Sequence, residues 1–216
     1  MVVVTPRRDS SSSRRVIEVF ADITCPFTHV GLKRVVEHVD ALADPPAVHV
    51  RAWPLEWVNG AGLEADAVSA KSSALTDQLG VDDFRGLDPA HWPSSTVPAL
   101  ELAAAAYDVG AATGLAVSLD LREALFERGL DVGEPAVLAD TATRHRVGLP
   151  APDESARVQA DYDEGRRRGV AGSPHFWVGT DDYFCPALDL GHDTTGLLIA
   201  RFDPVGLADF FSRIDA

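Results

Sequence analysis

The sequence predicts an α/β fold, with a small mixed sheet split into two parts by a large all-helical insertion. Three observations predict it. Apolar runs suited to strands fall at residues 16–21 and 48–53, the strand signal vanishes between residues 55 and 165, and it resumes at residues 175–185. With 216 residues and 46% hydrophobic content, the chain can fill one core of this kind.

Residues 1–13 read as a flexible tail, because the serine run Ser10-Ser11-Ser12-Ser13 offers nothing to bury. The first sheet part spans residues 14–55. Its strand, Val16-Ile17-Glu18-Val19-Phe20-Ala21, runs through Asp22-Ile23-Thr24 into Cys25-Pro26-Phe27-Thr28, where a helical stripe of Val30, Leu32, Val35, Val36, Val39 and Leu42 begins. Asp44-Pro45-Pro46 stops that helix near residue 42. Val48, Val50 and Ala52 share one face of the next strand, and a right-handed β-α-β crossover makes the two strands parallel.

The insertion spans residues 56–168, with helices expected at 64–79, 95–110, 115–128, 134–144 and 153–169. Ser94 or Ser95 suits an N-cap, Pro135 a first turn, and Gly110 and Gly129 helix ends. Residues 77–93 read as an irregular loop whose Phe84, His91 and Trp92 either overhang a site or pack. The second sheet part spans residues 169–216. It holds a strand at 175–178, a four-residue turn Gly179-Thr180-Asp181-Asp182 and a return strand Tyr183-Phe184-Cys185, an antiparallel hairpin. Residues 186–203 look irregular, and Val205, Leu207, Phe210, Phe211 and Ile214 mark a closing helix.

The formal net charge of -14 disfavours nucleic acid and anionic lipid as partners. The basic runs Arg7-Arg8, Arg14-Arg15 and Arg166-Arg167-Arg168 read as solvated faces, and the carboxylates as helix-surface groups. No stretch approaches the roughly 18 apolar residues of a membrane span, and the N-terminal segment has the wrong order for a signal peptide. A cytoplasmic location follows as the expectation. Two cysteines, Cys25 and Cys185, make no disulfide framework, which agrees with a reducing compartment.

Cys25 is the leading candidate for chemistry. A strand delivers it to a helix mouth, and Pro26 suits the first turn because it has no N–H to leave unpaired. Unpaired N–H groups and the positive end of the helix dipole stabilise an anionic sulfur there. A buried, inert thiol is the competing reading. Thr28 stands where a dithiol motif C-x-x-C would carry its second cysteine, so Cys25 cannot close the short disulfide of a dithiol enzyme. Thr28 either donates a hydrogen bond to the Cys25 sulfur or is an ordinary first-turn residue. His29 is expected on the exposed side of the helix, and Cys185 as a buried structural thiol, with resolution of a mixed disulfide on Cys25 as the competing reading. The seven histidines show no metal-ligand spacing, so no metal is expected.

Together with Gly172-Ser173-Pro174-His175-Phe176-Trp177, a loop entering a strand through a proline, this arrangement resembles the thioredoxin superfamily. More narrowly it resembles the DsbA family, in its FrnE-like and 2-hydroxychromene-2-carboxylate isomerase-like branch. The likeness extends through residues 93–110 and 121–132, and covers nearly everything from Val16 onward. It implies a thioredoxin-like mixed sheet and a reactive position at Cys25. It also implies a cis-proline at Pro174, with Ser173 before it, and a thiol- or peptide-binding surface made with Pro26 and Phe27. The implied activity is thiol-disulfide exchange by a single cysteine, through a mixed disulfide that an external thiol resolves. Two alternatives stay open: a thiol-dependent isomerase or transferase, and a redox-inactive peptide-binding module. No permanently bound cofactor is implied. The partners implied are glutathione or another low-molecular-weight thiol, or a protein thiol or disulfide, and the oligomeric state is left open, a homodimer included.

Overall fold

A computed structural model describes residues 16–151 and 153–214. The expected tail at residues 1–13 lies outside them. The main sheet has four strands: β1 (Val16–Ala21), β2 (Ala47–Ala52), β3 (His175–Val178) and β4 (Asp181–Phe184), in the order β2-β1-β3-β4. β1 pairs in parallel with β2 and antiparallel with β3, and β3 pairs antiparallel with β4. The sheet is therefore mixed, as expected. Its central strand β1 is buried from Val19 to Ala21, which an apolar run flanked on both sides requires.

Helix α1 (Pro26–Asp40) crosses between β1 and β2. Its Leu32, Val35 and Val39 pack with Ile17, Val19 and Ala21 of β1, Val48 and Val50 of β2, and Phe210 and Ile214 of the closing helix α8 (Pro204–Ile214). On the opposite face Phe20, Trp53 and Trp177 form a smaller aromatic cluster. Between β2 and β3 the chain forms α2 (Leu55–Asn59), α3 (Ala65–Leu79), α4 (Val97–Val109), α5 (Ala111–Phe126), α6 (Pro135–His145) and α7 (Ala156–Arg168). The last of these approaches the aromatic cluster closely: a Cβ on Gly165 would lie 2.5 Å from the Trp53 ring. The largest core cluster links these helices to the site, since Leu102, Leu121 and Leu125 share it with Ile23, Val30 and Cys185.

Several expectations need correction. Residues 186–203 are not irregular but hold a second hairpin, β5 (Leu188–His192) and β6 (Leu198–Phe202). Asp193 organises its turn, accepting hydrogen bonds from Thr195 N–H and Leu197 N–H. The turn between β3 and β4 contains two residues, not four, because Val178 pairs directly with Asp181; Cys185 consequently falls just past the strand. Residues 77–93 are partly ordered into the end of α3 and a 3-10 turn at Pro89–His91, with Phe84 buried in the core. The N-cap of α4 is Thr96 rather than Ser94 or Ser95. Helix α2 went unforeseen because it is a single short turn.

Carboxylates are not confined to surfaces: Glu101 is fully buried, bonding the N–H groups of Arg157 and Val158 at the start of α7. Arg168 is no solvated end either, since it pairs with Glu18 of β1 at 2.6 Å. No described helix is long and apolar enough to cross a membrane.

Candidate active site

Cys25 is the N-cap of α1, with extended backbone (φ -79°, ψ 111°), Pro26 in the first turn and no capping bond from its own side chain. The first-turn N–H groups thus converge on the sulfur's end of the helix, where an anion is stabilised. The Ser173-Pro174 peptide bond is cis. Across it, Cys25 Sγ donates a hydrogen bond to the Ser173 carbonyl oxygen at 3.0 Å. Cys25, Pro26, Phe27 and Ser173 line one cavity of about 210 Å³ together with Leu55, Leu63, Lys71, Phe184, Cys185 and Leu190. Cys25 is only 3% exposed, so a reaction partner must enter that cavity to reach it.

Thr28 takes the other side of the loop. Its hydroxyl lies 2.8 Å from Ser173 Oγ, and Ser173 Oγ also accepts the Asp22 N–H at 3.0 Å. The suggested Thr28 bond to the Cys25 sulfur is therefore replaced by one that clamps the proline loop to α1. His29 is also corrected. It is buried rather than exposed, stacked on Phe126, with Nε2 3.1 Å from the Asp83 carbonyl oxygen. Burial and then the charge of Lys33 push its pKa down to about 4. His29, Asp83 and Glu127 bring ligand atoms within 4.8 Å of one another. The Lys33 ammonium, however, bonds both carboxylates and supplies the cation they face.

Two buried ionisable groups close to Cys25, Asp22 and Arg122, escaped sequence reasoning. Asp22 accepts from Thr24 N–H and the Thr24 hydroxyl on one oxygen, and from Leu55 N–H and the Thr96 hydroxyl on the other. Burial raises its pKa, against the pull of those bonds. Arg122, from α5, donates to the Asp22 carbonyl oxygen at 3.2 Å and to Ser118 Oγ and the Ser118 carbonyl. Burial lowers its pKa to about 10, opposed by the charges of Asp22, Tyr107 and Cys25, so the guanidinium stays positive at neutral pH. The closeness of Asp22 to Cys25 was visible in the sequence. The pairing with Arg122 was not, because 100 residues separate them.

A family model described as a DSBA-like thioredoxin domain matches residues 16–191. The chain belongs to that family. Solved structures agree on the fold of this DSBA-like chain. A 2-hydroxychromene-2-carboxylate isomerase superposes with a TM-score of 0.59 at 13% identity, covering 78% of this chain and 88% of that one. A putative protein disulfide isomerase from Nitrosomonas europaea gives 0.56 at 15% identity, with 79% and 88% covered. The cytosolic disulfide reductase DsbM from Pseudomonas aeruginosa gives 0.51 at 14% identity, with 93% of each chain covered. Among curated proteins no sequence matches this chain.

Proposed function

We propose that this DSBA-like chain is an enzyme of thiol-disulfide exchange that works through the sulfur of Cys25. The observation that carries the reading is the position of Cys25 Sγ, at the N-cap of α1, on a cavity wall and 3.0 Å from the Ser173 carbonyl. The thiol loses the proton it shares with that carbonyl, and the resulting anion is stabilised by the helix terminus. It attacks one sulfur of a disulfide R–S–S–R′, forming Cys25–S–S–R and expelling R′–S⁻, which takes up a proton. A second thiolate then attacks the R sulfur, leaves as the new disulfide and returns the electron pair to Cys25. The exchanged partner is a small thiol such as glutathione, or a protein thiol or disulfide. The fold relative DsbM, a disulfide reductase also solved with GSH, supports that class. A cytoplasmic setting fits two cysteines that are both free thiols.

The apolar wall made by Phe27, Leu55, Leu63, Phe184 and Leu190 favours one second reading. A thiol cofactor held at the helix terminus would add to an apolar electrophile, as an isomerase or transferase of this fold requires. Intact-mass measurement after treatment with an aromatic disulfide separates the two. A disulfide at Cys25 of the wild type, whether to the reagent or closed within the protein, and none at residue 25 of Cys25→Ser is the expected result. Equal adduct on both proteins removes the exchange reading, and thiol-dependent turnover of an aromatic electrophile that survives Cys25→Ser installs the second one.

A further inference from the structure

Cys185 is a nucleophilic group that the mechanism above leaves unused. It follows β4, and its N–H donates to the Pro174 carbonyl oxygen at 3.1 Å, which extends the β3–β4 ladder by one pair beyond His175 and Phe184. It thus stands opposite the residue that follows Ser173, whose carbonyl holds the Cys25 sulfur. Cys185 backbone is left-handed (φ 49°), a conformation uncommon outside glycine. Both cysteines line the same cavity, and no other residue lining it carries sulfur.

We propose that Cys185 resolves the mixed disulfide formed on Cys25, closing a Cys25–Cys185 disulfide inside the cavity. This inference rests on the exchange reading and changes its second step. The Cys185 thiol loses its proton and its sulfur attacks Cys25–S–S–R at the Cys25 sulfur. The Cys25–Cys185 bond forms, the bond to R breaks, and R leaves as a thiolate that takes up the released proton. An external thiol, present as the small-thiol partner, acts one step later by reducing the internal disulfide. Two residues far apart in the chain thereby perform what a C-x-x-C motif performs within one helical turn.

Burial, and after it the charge of Cys25, pushes the Cys185 thiol up to about 12. At neutral pH the resting Cys185 thiol therefore keeps its proton. A Cys25 sulfur tied into a mixed disulfide carries no charge, so that part of the opposition disappears when a resolving thiol is needed.

The test treats fully reduced wild type, Cys185→Ser and Cys185→Ala with glutathione disulfide, quenches by alkylation, and reads intact mass and a peptide map. The wild type is expected to become two hydrogens lighter, to resist alkylation and to yield a linked Cys25–Cys185 peptide. Both variants are expected to retain a glutathione adduct on Cys25 and to lose it at least about tenfold more slowly than the wild type. Using two replacements guards against a packing defect peculiar to one. A wild type that keeps its glutathione as both variants do overturns the resolving role and leaves the exchange reading intact. Absence of any adduct or internal disulfide in all three proteins removes both together.

Discussion

The hydroxyls of Thr28 and Ser173 lie 2.8 Å apart, joining the first turn of α1 to the loop that holds the Cys25 sulfur. Ser173 Oγ also accepts the Asp22 N–H, so this one oxygen connects the end of β1, the helix and the loop before β3. Both side chains are buried, which gives the bond more weight than a surface contact.

Thr28 stands three residues after Cys25, where a C-x-x-C motif carries its second cysteine, so Thr28→Cys should convert the site to a dithiol. In a Cys185→Ser background, the Thr28→Cys variant is expected to form a disulfide between Cys25 and the introduced thiol on treatment with glutathione disulfide. It should also gain insulin-reducing activity that the parent lacks. Losing the hydroxyl bond should cost about 1 kcal/mol in urea unfolding. A folded variant with no gain in either assay would mean that the sulfur at residue 25 is not placed for exchange.

Arg122 is 1% exposed, its guanidinium spans Ser118 and the Asp22 carbonyl, and Cys25 is among the groups whose charge opposes the lowering of its pKa. Arg122→Met keeps most of the volume and removes the charge. It should destabilise the protein by about 2 to 3 kcal/mol, the scale for charged hydrogen bonds lost in a core. It should also slow alkylation of Cys25 at neutral pH, because a nearby buried cation that attracts negative charge by Coulomb's law is gone. Arg122→Lys should recover much of the alkylation rate while remaining less stable. Equal alkylation by wild type and Arg122→Met would confine Arg122 to a purely structural role.

Burial holds His29 near pKa 4, below its ordinary 6.5, so the unfolded chain binds its proton more readily than the folded one. The sign is then fixed: this residue's contribution is fully present above pH 6.5 and is lost as pH falls towards 4. His49 and His175, also lowered by burial, act in the same direction, while Asp22 and Glu123, raised by burial, oppose it. Comparison with His29→Gln isolates the one residue. The urea midpoint of the wild type should fall more steeply between about pH 6.5 and 4.5 than that of the variant, and parallel curves would contradict the assignment.

The main sheet was legible because local pattern and burial agree there. Val16 to Ala21 form an apolar run, Val48, Val50 and Ala52 alternate, and nearly all of these positions are buried. Cys25, Pro26 and the Ser173-Pro174 pair could be marked from residue type and family likeness alone. The second hairpin could not, since Asp189, Gly191 and His192 read as breakers while Gln78 of α3 secures β6 from outside, bonding the Leu198 carbonyl oxygen and the Ala200 N–H. Arg122 was hidden for a related reason. A charge in a helical stretch reads as surface unless its partners are known, and here one partner is a backbone carbonyl in the loop after β1.

Lys71 is the one charged side chain among the residues lining the Cys25 cavity. The rest of that wall is mostly apolar, so water screens its charge less than on an open face. Lys71 lines the cavity from α3, on a wall that Cys25 also lines. Small disulfides of opposite charge should therefore react at different rates with Cys25. The wild type is expected to prefer an anionic disulfide such as glutathione disulfide over cystamine, and Lys71→Glu should reverse the order, with the ratio moving about tenfold, equivalent to about 1.4 kcal/mol. The preference should shrink as salt is added, because the part facing solvent is screened. Stopped-flow rates for the two disulfides on wild type and Lys71→Glu provide the ratio directly. An unchanged ratio would mean that substrates approach Cys25 from the β4 side without passing the helical insertion.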